Sequence, residues 1–146
     1  MRNKSAYWDT SALVPLCCYQ DASSALRILA RRFSRMTVWW GTRVKVRSAL
    51  ARLLREGDVS ESAFREAGDR LRLLSQSWAE LLPTESVRER AEDLLDRCNL
   101  SAADALQLAA ALTWCQGRPQ RRTFVCLDHR LGEAASVAGF DVVGIS

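Results

Sequence analysis

The chain has 146 residues, 48% of them hydrophobic and 26% charged. That make-up suits one globular domain spanning 1–146 and excludes a disordered or collagenous chain. No apolar run approaches the roughly 20 residues that span a bilayer. The basic start, Met1-Arg2-Asn3-Lys4, leads to no long apolar signal region, so a cytoplasmic protein is expected. The net charge of +4 is unevenly spread: residues 1–57 hold 11 basic and 3 acidic residues, and residues 58–146 hold 10 and 14. Nineteen of the 21 basic residues are Arg, whose planar fork grips phosphates bidentately. Five Cys without a C-x-x-C pair, and a single His, argue against a zinc site and for reduced, buried thiols.

The elements follow from periodicity and punctuation. Ala6-Tyr7-Trp8 reads as a short buried strand ending at Asp9, and Thr10-Ser11 opens an apolar helix to about Cys18. Asp21 is placed to cap a helix with Ala25, Leu26, Leu29 and Phe33 on one face. Met36 to Trp40 is a second strand. Gly41-Thr42 then leads into a helix carrying Val46, Ala49, Leu50, Leu53 and Leu54, stopped by Gly57. Ser60 caps a helix with Ala63, Phe64, Ala67, Leu71 and Leu74 inward. Trp78 to Leu82 is a short third strand, and Pro83-Thr84 introduces a helix to about Cys98. Ser101 starts another, with Ala102, Ala105, Leu106, Ala109 and Leu112 inward, broken at Gly117-Arg118-Pro119. Thr123 to Leu127 is a strand ended by Asp128. A helix to Ala138 and an edge strand, Asp141 to Gly144, complete the chain. Strands alternating with helices imply an α/β fold of three layers, αβα, with a central, mostly parallel sheet.

In such sheets, ligands bind beyond the carboxyl ends of the strands. Two strands end in aspartate, Asp9 and Asp128; if they are neighbours, the carboxylates share one rim. Asp104 lies in the first turn of the Ala-rich helix, and a carboxylate in that setting needs a charge, a cap or a metal as partner. Each aspartate also has a plain structural account: Asp9 as a helix cap, Asp104 as a complement to a helix dipole, Asp128 in an Asx turn. Together, three carboxylates at close range repel one another unless a cation joins them, and oxygen ligands suit Mg²⁺ or Mn²⁺. No nucleotide-binding glycine loop or nucleophile elbow is present. His129, beside Asp128, reads as a rim residue.

Tyr7-Trp8-Asp9-Thr10-Ser11-Ala12-Leu13, Ser101-Ala102-Ala103-Asp104-Ala105-Leu106-Gln107-Leu108-Ala109 and Phe124-Val125-Cys126-Leu127-Asp128-His129-Arg130-Leu131 resemble the three main acidic motifs of PIN-domain proteins, most closely the VapC-type toxins of bacterial toxin–antitoxin pairs. The resemblance covers nearly the whole chain. It implies a metal-dependent ribonuclease in which Asp9, Asp104 and Asp128 are catalytic and hold Mg²⁺ or Mn²⁺, with Ser11 supporting the site. It also implies hydrolysis of RNA by metal-activated water, a cognate antitoxin that blocks the site, and a homodimer. One position departs: Lys45 aligns with a glutamate usual in the family, and no acid lies between Asp21 and Glu56 to replace it.

Two readings follow, an RNase whose activity Lys45 impairs and a catalytically silent PIN-like module that binds or regulates; a third, weaker one is a non-PIN α/β protein whose aspartates are caps. In the first, Arg43, Arg47, Arg52 and Arg55 supply phosphate contacts.

Overall fold

The structure, a computed structural model, describes residues 4–145, so the basic start at residues 1–3 lies outside the described residues. Its elements are β1 (Ser5–Trp8), α1 (Thr10–Cys17), α2 (Ser23–Arg32), β2 (Arg35–Trp39), α3 (Thr42–Arg55), α4 (Glu61–Ser77), β3 (Ala79–Leu81), α5 (Glu85–Arg97), α6 (Ala102–Trp114), β4 (Thr123–Val125), α7 (His129–Ala138) and β5 (Asp141–Val143). The strands form one sheet in the order β3-β2-β1-β4-β5. Every neighbouring pair is parallel, with Ala6 opposite both Met36 and Thr123.

Successive strand side chains point to opposite faces, which divides the core in two. Ala6, Trp8, Val38 and Val125 pack with α1, α2, α3 and α4 through Leu13, Leu26, Leu50 and Leu71. Tyr7, Trp39 and Phe124 pack with α5, α6 and α7 through Leu94, Leu108 and Leu131. The result is the αβα sandwich expected of alternating strands and helices. Helices α1 and α6 are apolar nearly all round and sit deepest, as a helix without a polar face must. Among the described residues, no helix is long and apolar enough to cross a membrane.

Local chemistry explains most boundaries and several departures from the sequence reading. Ser60, Thr84 and Ser101 cap α4, α5 and α6, each accepting a backbone N–H three residues on. Asp21 does not cap α2: the helix begins at Ser23, behind Ala22, with no side-chain cap. The buried Ser23 hydroxyl instead donates to the Pro15 carbonyl (2.7 Å) and accepts from the Gln20 N–H (2.8 Å), tying α2 to α1. Ala25 and Ala102, expected inward, are exposed. Alanine has too little side chain to force a helix face inward, and Leu26 and Leu108 set those faces instead. β4 stops at Val125 rather than Leu127, because the Leu127 N–H turns from the sheet to the Ser11 hydroxyl (2.9 Å). Among the described residues the cysteines are free, all but the half-buried Cys98 being buried.

Candidate active site

β1 and β4 are hydrogen-bonded neighbours, so their carboxyl ends open on the same rim. The chain leaves β1 at Asp9, whose N–H still donates to the Val125 carbonyl (2.9 Å). The Asp9 side chain caps α1 by accepting the Ser11 N–H at 3.1 Å. The same oxygen, Oδ2, accepts the Ser11 hydroxyl at 2.6 Å and faces the Cys126 thiol at 3.7 Å. Oδ1 accepts no hydrogen bond among the described residues. Asp9 is 3% exposed. Burial raises its pKa above the usual carboxylate range, the two Ser11 hydrogen bonds and the charge of Lys45 oppose the rise, and the charge of Asp104 adds to it.

Asp128 is the N-cap of α7, its Oδ1 accepting the Leu131 N–H at 3.1 Å. Both strand-end aspartates therefore are helix caps; capping uses one oxygen of each and leaves the other. Asp104 lies in the first turn of α6, its own N–H held by the Ser101 hydroxyl at 3.2 Å. Lys45, on α3, places its Nζ 4.0 Å from Asp104 Oδ1, with side-chain exposures of 42% and 16%. At that distance and exposure, the pair is worth at most about 1 kcal/mol.

Asp9, Ser11, Lys45, Asp104 and Asp128 line one cleft of about 250 Å³, together with Arg52. The structure thus brings the sequence-nominated residues to one place. Among the described residues, however, no three Asp, Glu, His or Cys side chains approach closely enough to form a group that could hold a metal ion. The donor chemistry still fits a divalent cation: Asp9 is a buried carboxylate with one unused oxygen and a second carboxylate, Asp104, within electrostatic reach. Arg43 and Arg47 line a different pocket, Arg55 lines neither, and His129 is exposed at the start of α7.

Beneath the cleft lies a polar network that carried no assignment in the sequence. The Tyr7 hydroxyl donates to Gln107 Oε1 (2.6 Å), and Gln107 Nε2 donates to the hydroxyls of Thr10 and Thr42 (both 3.1 Å). Gln107 is fully buried, one turn beyond Asp104; Thr10 adjoins Asp9 and Thr42 precedes Lys45 by three residues. One amide thus joins α1, α3 and α6, three of the four helices that bear or are capped by the cleft's charged groups. The available signal was an amide on the apolar face of an Ala-rich helix, since a buried amide requires partners. Burial, and secondarily the Asp9 charge, holds the Tyr7 hydroxyl protonated as a donor, well above its ordinary pKa.

No protein-family model matches the sequence, and no curated protein matches it. Solved structures do. The chain resembles PAE2754 from Pyrobaculum aerophilum at a TM-score of 0.63 and 19% identity, over 96% of this chain and 90% of that one. It resembles FitAcB from Neisseria gonorrhoeae at a TM-score of 0.64 and 17% identity, over 93% of this chain and 96% of that one. At such identities the likeness is one of fold, and with the five-stranded all-parallel sheet between helical layers, that fold is PIN-like.

Proposed function

We propose that the protein is a metal-dependent endoribonuclease, the VapC-like toxin of a toxin–antitoxin pair. The observation that carries this reading is the gathering of Asp9, Asp104 and Asp128 in one cleft at the carboxyl ends of β1 and β4. Asp9 and Asp104 would hold Mg²⁺ or Mn²⁺, with Asp128 on the same cleft. When bound, the ion lowers the pKa of a water and offsets charge on the phosphate.

The chain's own residues prepare the rest. Ser11 fixes Asp9 Oδ2 through two hydrogen bonds, so Oδ1 is the oxygen left for a ligand. The Leu131 N–H likewise fixes one oxygen of Asp128 and leaves the other to accept a proton. Gln107 holds α1, α3 and α6 in register beneath the carboxylates. Arg52 and Lys45 put positive charge beside the acidic group, which draws in a phosphodiester that three carboxylates alone would repel. A cognate antitoxin protein that covers this cleft, and a homodimer, belong to the same proposal.

One observation favours a second reading, a catalytically silent PIN-like module. The Lys45 ammonium already stands 4.0 Å from Asp104 and can supply part of a metal's charge. Incubation of single-stranded RNA with the protein and Mn²⁺ separates the two. Cleavage that disappears in EDTA and in both Asp9→Asn and Asp104→Asn supports the ribonuclease. RNA left intact by the wild type but cut by Lys45→Glu supports the silent module.

A further inference from the structure

A pocket of about 500 Å³ lies between α3 and α4, lined by Arg43, Arg47, Phe64, Arg65, Gly68 and Arg72. Its charge is almost uncompensated. Asp69 also lines it, but stands 3.5 Å from Arg72. Among the described residues, no carboxylate forms an ion pair with Arg43, Arg47 or Arg65. Converging guanidinium groups without counter-charges repel one another, and an anion relieves that repulsion.

The packing shows how one of these groups is placed. The Arg47 guanidinium lies over the Phe64 ring, 5.6 Å from its centroid. Its other neighbour is Gly68, where an added Cβ would meet Arg47 Nη1 at 2.7 Å. The missing side chain in mid-helix, which costs helix stability of up to about 1 kcal/mol, leaves the space that Arg47 occupies.

We infer that this pocket is a phosphate-binding site for the backbone of single-stranded RNA, an inference that rests on the ribonuclease reading. The topology favours a strand over an isolated anion. Helix α3 carries Arg43 and Arg47 to this pocket and Lys45, Ser48 and Arg52 to the acidic cleft. One helix therefore forms a wall of both sites, and a polymer with regularly repeated phosphates can occupy both at once. Guanidinium forks match the phosphate oxygens bidentately, and such contacts position a strand without reading its bases.

The test is fluorescence anisotropy of a labelled oligouridylate with the full chain, in EDTA, across a series of KCl concentrations. Each lost contact to a single strand should flatten the plot of log affinity against log salt by roughly 0.7, so Arg43→Ala/Arg47→Ala/Arg65→Ala should flatten it by about 2. Gly68→Glu keeps every arginine, displaces the end of Arg47 and adds a carboxylate; it should weaken binding in the same direction. Circular dichroism establishes that both variants are folded. Arg118→Ala/Arg121→Ala, in the loop before β4, should leave the slope unchanged. The inference is overturned if the triple variant and Gly68→Glu keep the wild-type slope, if the wild type binds no RNA at low salt, or if poly-glutamate binds in preference to RNA. Because no metal or cleavage enters the measurement, a flattened slope in a protein that cuts no RNA upholds the pocket and sinks the ribonuclease reading. Cleavage with an unchanged slope does the reverse.

Discussion

Asp9 is held in a state that costs the fold stability. Burial raises its folded pKa above the unfolded value of about 3.9. The folded protein therefore binds this proton more tightly than the unfolded chain does. The penalty is absent below the unfolded pKa, grows as pH rises between the two values, and is complete above the folded one. At neutral pH, Asp9→Asn should remove it while keeping an oxygen for Ser11, stabilising the protein by about 1 kcal/mol, or a few degrees in Tm, even as it removes any cleavage the proposed ribonuclease shows. Thermal melts in EDTA at pH 7 check this, and a lower Tm than wild type counts against it. Cys126 lies beside the same carboxylate, its pKa pushed up to about 12 by burial and then by the Asp9 charge. Its thiolate should be scarce at pH 8, so iodoacetamide should label it only on unfolding, as a mass-spectrometric time course would reveal.

Among the elements, α6 gives the least sign of its task in the sequence. Its apolar run is plain, but the face that meets the sheet is not, because alanine is tolerated inside and out; hence Ala102 is exposed while Ala105 and Ala109 are buried. Strand-end aspartates are legible because strands stop and helices begin through local capping. The Gln107 clamp is not, since its partners Tyr7, Thr10 and Thr42 lie 65 to 100 residues away. Asp21 is the opposite failure: a good local cap displaced by the tertiary bond from Ser23 to Pro15. Gln107→Met should keep most of the volume yet leave the buried Tyr7 hydroxyl without its acceptor, at a cost of about 2–3 kcal/mol. Urea unfolding gives the number; an unchanged midpoint would mean that water replaces the amide.

Across the whole molecule, charge is sorted by the faces of α3 and not by the two parts of the sequence: Arg65 and Arg72 come from the more acidic part, Asp9 from the more basic one. The arginine-lined pocket lies on α3 and α4, and the acidic cleft on the other flank of α3. The three-layer αβα fold could be read from the order of elements, and its PIN-like character from the resemblance of the three acidic motifs; how near the carboxylates come to one another could not, because that depends on where three helices dock. Lys45 is where this bears on function. A ligand that binds only the folded state stabilises it by about 2.7 kcal/mol at a hundred times its Kd. The Tm gain with Mn²⁺ should therefore be larger for Lys45→Glu than for the wild type. About tenfold tighter binding is expected when a half-exposed cation at this range gives way to an anion. Equal gains in the two proteins would place Lys45 outside the ion's reach.

The strand order has a consequence in time as well as in space. β1 is central and needs β4, made more than a hundred residues later, as one of its two neighbours. At roughly 5–20 residues per second, that partner arrives many seconds after Asp9 is made. Until then Asp128 is absent from the cleft and the Ser11 hydroxyl lacks the Leu127 N–H. A chain halted at residue 120 should therefore remain protease-sensitive and inert. The parallel sheet thus delays any activity of the cleft until β4 has been made.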